Sequence, residues 1–161
     1  MIFSGYYNMP DKTLEVMRNL WYHTGDLGFK DEKGFLYFSG RKGDSIRVKG
    51  EFVPVDHVEN VIRSHPNVQE CAIVGVPSDM GEQEIKLYIQ PSKGTKIAPE
   101  EIVNYCKEKL ARYMVPRYVE VVDELPISPS IMKVQRSKLK EKGIGQAWDS
   151  RTGQWVKPNL T

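Results

Sequence analysis

The sequence predicts an α+β fold: a small three-stranded sheet with packed helices and a two-stranded ribbon, preceded by a β-rich segment. Three observations carry this. Helix-period stretches "PVDHVENVIRSHP" and "APEEIVNYCKEKL" are interleaved with the β-branched runs "VQECAIVGVPS", "EIKLYIQPS" and "RYVEVVDEL", each bounded by turn residues. The resulting order, helix–strand–strand–helix–strand, suits helices layered on one sheet. The first forty residues have another texture, aromatic and broken by turns, which puts a boundary at "GRKGDS".

Each element has its own reason. A helix is expected over roughly Asp11 to Arg18, followed by short strands in "LWYH" and "GFLYF", with "KDEKG" closing a hairpin at Gly34. This stretch has too little apolar length to bury itself. Residues 1–43 are therefore expected to be the end of a larger N-terminal domain plus a hinge. From there "SIRVKGEFV" alternates around Gly50 as a tight ribbon does. Pro54 opens a helix that sets Val55, Val58, Val61 and Ile62 on one face and stops before Pro66. In the second helix Pro99 comes early, acids fill the first turn and lysines the last, in accord with the helix dipole. The second domain is expected over 44–148, with 149–161 as a tail.

Composition narrows the function classes. With 161 residues, 40% hydrophobic and 27% charged, the chain reads as soluble and globular, one small domain plus part of another. A net charge of +2 and no basic–aromatic platform argue against nucleic acid. Lys133, Arg136, Lys138, Lys140 and Lys142 do cluster late, which alone reads as a solvated helix face. Cys71 and Cys106 lack a CxxC spacing and read as small core residues in a reducing compartment. No apolar run reaches membrane-spanning length and no signal peptide is evident, so a cytoplasmic protein without a membrane span is expected.

Four stretches carry chemistry. In "HTGDLG", Asp26 follows a glycine that clears the approach to its carboxylate, an arrangement suited to a ribose diol and equally to a turn cap. In "GRKGDS", Arg41 offers five fixed donors, and Gly43 can absorb a large dihedral change as a hinge or simply close a turn. In "RVKGEF", Gly50 stands at a ribbon tip between Lys49 and Glu51, where a narrow ligand could pass close to backbone. In "ELPISPSIMKVQRSKLK", Lys133 is a cation on a turn-rich loop. A donor so placed against developing negative charge contributes on the order of 3–4 kcal/mol to a transition state. No glycine-rich phosphate cradle and no metal-ligand pattern are present.

Together, the run "GYYNMPDKT … WYHTGDLG … KGFLYFSGRKGDSIRVKGE … VDHVE … VPRYVEVVDELPISPSIMKVQRSKL" resembles the last third of an adenylate-forming enzyme. That superfamily includes acyl-CoA synthetases, nonribosomal-peptide adenylation domains and luciferases. The resemblance implies ATP-dependent activation of a carboxylic acid as acyl-adenylate, then rotation of a C-terminal domain and transfer to CoA. It implies ribose contacts from Asp26 and Arg41, a hinge at Gly43 and Asp44, and a CoA-side ribbon of Lys49, Gly50 and Glu51. Lys133 would bridge the carboxylate and the ATP phosphates, on a loop because it must be delivered and then withdrawn. Magnesium is expected on the missing domain, as are the phosphate loop and acyl pocket, so the chain alone should be inactive. Its partners would be the acid, ATP, CoA and its own N-terminal domain.

Two departures stand out. Gly43 replaces the usual Asp or Lys at the hinge, and Met132 replaces the glycine usual before the lysine. The ribbon "RKGDSIRVKGE" and the tail "KVQRSKLKEKGIGQAWD" are most similar to the crotonobetaine/carnitine-CoA ligase branch. A free-standing lid docking on a separate adenylation body, or a nonribosomal-peptide-type fragment, are the alternatives.

Overall fold

The structure is a computed structural model that describes residues 4–78, 81–130 and 132–156. The chain divides into two compact units, 1–43 and 44–161.

The first unit is a helix and two hairpins. Helix α1 (Pro10–Val16) begins on a proline, whose fixed φ suits a first turn and whose missing N–H would have no helical partner there. Strands β1 (Met17–Arg18) and β2 (Trp21–Tyr22) pair across Asn19 and Leu20, which both take positive φ. Strands β3 (Asp26–Lys30) and β4 (Leu36–Arg41) form the hairpin read from "KDEKG". Its loop is closed by the Phe35 amide donating to Asp31 Oδ1 at 2.8 Å. Among the described residues of this unit none is buried. Tyr7, Leu14, Leu20, Trp21 and Leu36 all lie open.

A short 3-10 turn, Lys42–Asp44, leads into the second unit. It contains β5 (Ile46–Val48), β6 (Glu51–Val53), α2 (Val55–Arg63), β7 (Val68–Pro77), β8 (Gln83–Pro91), α3 (Pro99–Lys109), β9 (Tyr118–Val121), α4 (Arg136–Glu141), β10 (Trp148–Asp149) and β11 (Gln154–Trp155). The mixed α+β class holds, with the ribbon β5–β6 ahead of the sheet. The sheet has five strands rather than three, in the order β11-β10-β9-β8-β7. Only β8–β9 is parallel, and α3 supplies the crossover that a parallel pair requires.

The two extra strands correct the expected tail. Residues 148–155 fold back as a hairpin on the edge of β9, pairing Trp148 with Val119 and Asp149 with Tyr118. Strands of two residues are too short to show an alternation, so the sequence carries no signal for them.

The sheet is covered on both faces. Helices α2 and α3 and the ribbon pack on one side through Val58, Ile62, Ile102 and Cys106, against Ile73, Leu87 and Ile89. On the other side Ala72, Val74 and Tyr88 meet Leu125, Leu139 and Ala147. Two-sided burial explains why β7 and β8 read as nearly continuous apolar runs.

Candidate functional site

Asp26 opens β3 and Arg41 closes β4, so hairpin register puts them directly opposite each other. Arg41 Nε donates to Asp26 Oδ1 at 3.0 Å. The Asp26 amide donates to Thr24 Oγ1 at 3.0 Å, and the Lys42 amide to the Gly25 carbonyl at 2.8 Å. The register shifts between Leu27 and Gly28, where a Cβ would stand 2.7 Å from the Tyr37 carbonyl oxygen. Glycine is required there, because that clash is with backbone. The ion pair is exposed and contributes little to stability. It orients a carboxylate with open lone pairs beside a guanidinium, a combination that suits a vicinal diol.

Lys133 lies in the second unit, exposed near the end of a closed loop. The Ser128 amide donates to the Lys133 carbonyl at 2.8 Å, the Met132 amide to Ser128 at 2.8 Å, and the Gln135 amide to Pro126 at 2.7 Å. Ile127 and Val134 form a single β-bridge between the arms. Met132 takes φ +50°, the left-handed region that favours glycine.

The ribbon is a two-residue hairpin in which Val48 pairs with Glu51. Lys49 and Gly50 sit at φ +52° and +80°, the pattern of a type I′ turn. Its base is fixed by buried Ile46, Val48 and Val53, and its tip by the Lys49 amide donating to Glu82 Oε2 at 2.8 Å. Gly43 needs no positive φ, and nothing lies within 4 Å of where its Cβ would be. Glycine is therefore not demanded there by this conformation. The side chain of Asp44 lies outside the described part of the chain.

The structure thus joins Asp26 to Arg41 in the first unit, and presents Lys133 and the Lys49–Glu51 tip on separate loops of the second. It also reveals groups that sequence reasoning missed. A cleft of about 690 Å³ beside the ribbon is lined by Lys49, Lys107, Arg112, Tyr113, Arg117 and Arg151, among others. Glu84 pairs with Arg117 and Arg151, and Asp149 with Arg117. The balance is cationic, fit for a phosphorylated ligand. These cations come from three separated stretches, around 49, 107–117 and 151, so no local run of charge announces them.

Glu59 is the other omission. It occupies the apolar face of α2, almost completely buried, and both its oxygens accept from Arg136 Nη2, at 2.8 and 2.7 Å. Its Oε1 also accepts from the Ile73 amide at 3.0 Å. Lys86, fully buried, pairs with Glu120 at 2.6 Å and donates to the carbonyls of Gly143 and Ile144 just past α4. Burial pulls its ammonium below the usual lysine range, and the Glu120 hydrogen bond and charge oppose that shift. Burial pushes both thiols, Cys71 and Cys106, up to about 12, with the Glu59 carboxylate adding to the shift at Cys71. Both are inert at neutral pH. Among the described residues no group of three His, Cys, Asp or Glu stands ready to hold a metal.

Residues 57–130 match the AMP-binding enzyme C-terminal domain family. The chain carries an AMP-binding enzyme C-terminal domain. It is 39% identical over 145 residues to the long-chain-fatty-acid–CoA ligase of Escherichia coli O157:H7, covering 90% of this chain and 26% of that protein. The branch suggested by the ribbon is also present among the relatives. The crotonobetaine/carnitine–CoA ligase of Salmonella arizonae is 34% identical over 126 residues, covering 78% of this chain and 24% of that protein. Among solved structures, the O-succinylbenzoate coenzyme A synthetase of Bacillus subtilis, in complex with AMP, superposes with a TM-score of 0.72 at 34% identity. That match covers 85% of this chain and 27% of the other. The chain thus spans about a quarter of the length of the relatives it matches, and those relatives are acid–CoA ligases.

Proposed function

We propose that this chain is the C-terminal portion of an ATP-dependent acid–CoA ligase, and that it works by presenting two different surfaces to one reaction centre. The observation that carries the reading is Lys133, an exposed cation held on a self-closed loop just past the residues that match the AMP-binding enzyme C-terminal domain family. In the first half-reaction the carboxylate oxygen of the acid attacks the α-phosphorus of ATP, and pyrophosphate leaves. The Lys133 ammonium stabilises charge on the carboxylate and on the phosphates. Asp26 accepts hydrogen bonds from the ribose hydroxyls and Arg41 donates to them, in the orientation their ion pair fixes.

In the second half-reaction the thiol of CoA attacks the acyl carbon and AMP leaves. The Lys49–Gly50–Glu51 tip lines the thiol's path, since a glycine at its end lets the chain pass close to backbone. The cationic cleft beside Lys49 receives the phosphorylated end of CoA. Gly43 and Asp44 form the hinge between the two orientations; magnesium, which would neutralise charge on the ATP phosphates, would be held by residues of the larger domain.

The relatives named above take acids as different as long-chain fatty acids and carnitine, so acyl choice belongs outside this segment. The exposed aromatic face of residues 4–43 packs on that remainder, and the 161-residue chain alone lacks activity. The test is pyrophosphate exchange into ATP, run with a panel of carboxylic acids on the full-length protein and on this chain. Acid-dependent exchange by the full-length protein alone supports the reading. Exchange by the 161-residue chain, or none by the full-length protein with any acid, contradicts it.

A further inference from the structure

The motif "VDHVE" ends on Glu59, and the proposed chemistry gives that residue no task. Its surroundings do. Glu59 is a carboxylate in the middle of an otherwise apolar helix face, and 77 positions later Arg136 reaches back to it. Buried ion pairs contribute uncertainly to stability against an apolar pair, and their best-attested use is to specify one arrangement. Here the arrangement specified is the footing of the lysine loop.

Arg136 opens α4 three residues after Lys133, a reach of about 10 Å of extended chain. The loop's other arm leaves from buried Leu125, and the arms are cross-linked by the Gln135 and Ser128 amides. Beyond Arg136, α4 is held by buried Leu139, by the Tyr88 hydroxyl donating to the Leu139 carbonyl at 3.0 Å, and by Lys86 at its end. The far side is therefore fixed by packing on the sheet. The near side depends on the Glu59 carboxylate, which is itself oriented by the Ile73 amide of β7.

Resting on the reading of Lys133 above, we propose that Glu59 and Arg136 are positioning residues for Lys133: their part-buried pair seats the base of the lysine loop on α2 and β7 and so fixes where the ammonium is delivered. Glu59 touches no substrate. It acts on adenylation through Arg136 and the loop, and the thioester step, which uses the ribbon, does not need it.

Glu59→Gln tests this, because it preserves shape while removing the charge. In the full-length protein the expected result is a fall of at least tenfold in the adenylation kcat, with KM for ATP and the thioester rate from supplied acyl-adenylate both within twofold of the parent. In the 161-residue chain, amide exchange at Ser128 and Gln135 should quicken at least tenfold, with β8 unchanged. Ile102→Val, which removes a buried methyl group from α3 away from both loops and the cleft, should lower stability without separating the half-reactions. Equal loss of both half-reactions, an unchanged adenylation rate, or an equal separation in Ile102→Val would each overturn the proposal. If Glu59→Gln does not fold, the neutral pair Glu59→Gln/Arg136→Gln is read in the same assays. If Lys133→Ala leaves adenylation intact, the reading of Lys133 fails separately. The seat is then judged by exchange alone: quickened at Ser128 and Gln135 upholds it, unchanged overturns it.

Discussion

Met132 and Lys49 are both non-glycine residues held at positive φ, each beside a position with a proposed chemical task. A left-handed conformation costs a residue with a Cβ roughly 1–2 kcal/mol. Lys49 shares its turn with Gly50, as a type I′ turn allows, and the Glu82 carboxylate holds its amide. Met132 is 76% exposed, so side-chain packing offsets little of its strain. Met132→Gly should relieve that strain, while the freer unfolded chain returns roughly 0.5–1 kcal/mol of the gain. The net expectation is a stabilisation of about 0.5 kcal/mol, seen as a higher urea midpoint with an unchanged slope. A lower midpoint would show that the methionine makes a contact worth more than its backbone cost. The same arithmetic explains why a glycine would suit the position before this lysine.

At the scale of elements, the C-terminal hairpin is the clearest case. β9 would be an open edge without β10 and β11, and exposed edges invite pairing with other chains. The hairpin is fastened by Asp149, which accepts from Arg117 at 3.3 Å and from the Arg151 amide at 2.8 Å. Ending the chain at Ala147 should therefore lower the unfolding midpoint and raise the tendency to associate, read by light scattering during thermal unfolding. A truncated chain as stable and as monomeric as the parent would make the hairpin ornamental.

What the sequence made legible follows from the length of each pattern. α2, α3, β7 and β8 are long enough for their periods to declare themselves, and the hairpin loop at Gly34 and the ribbon at Gly50 carry turn chemistry. The two-residue strands carry neither. Asp26 and Arg41 each stood out in the sequence as candidates, but their pairing depends on hairpin register, with a bulge at Gly28 that no local motif encodes. Glu59 was hidden for a different reason. A polar residue on an apolar stripe looks like a solvated neighbour until the arginine that buries it is found, 77 residues away. The cationic cleft was dispersed over three separated stretches and had no linear signature.

At the scale of the whole molecule the two units differ in kind. Residues 44–161 contain every buried side chain among the described residues, on both faces of one sheet; residues 4–43 contain none. That asymmetry is what a chain shows when one part folds around its own core and the other lends its apolar face elsewhere. It also bears on the proposed function, because the proposed two-step reaction asks for a body that can be re-presented as a unit, with its proposed catalytic groups on rigid stands. The ribbon is footed on the core, and the lysine loop is footed on Glu59 and the sheet.

The measurement that tests the central claim most directly is a comparison of Lys133→Ala with the parent in the full-length protein, each half-reaction assayed separately. The account predicts that acid-dependent pyrophosphate exchange falls by roughly two to three orders of magnitude, the effect of losing one charge-stabilising donor. Thioester formation from supplied acyl-adenylate should stay within a few-fold. Equal loss of both steps, or retention of both, would contradict it.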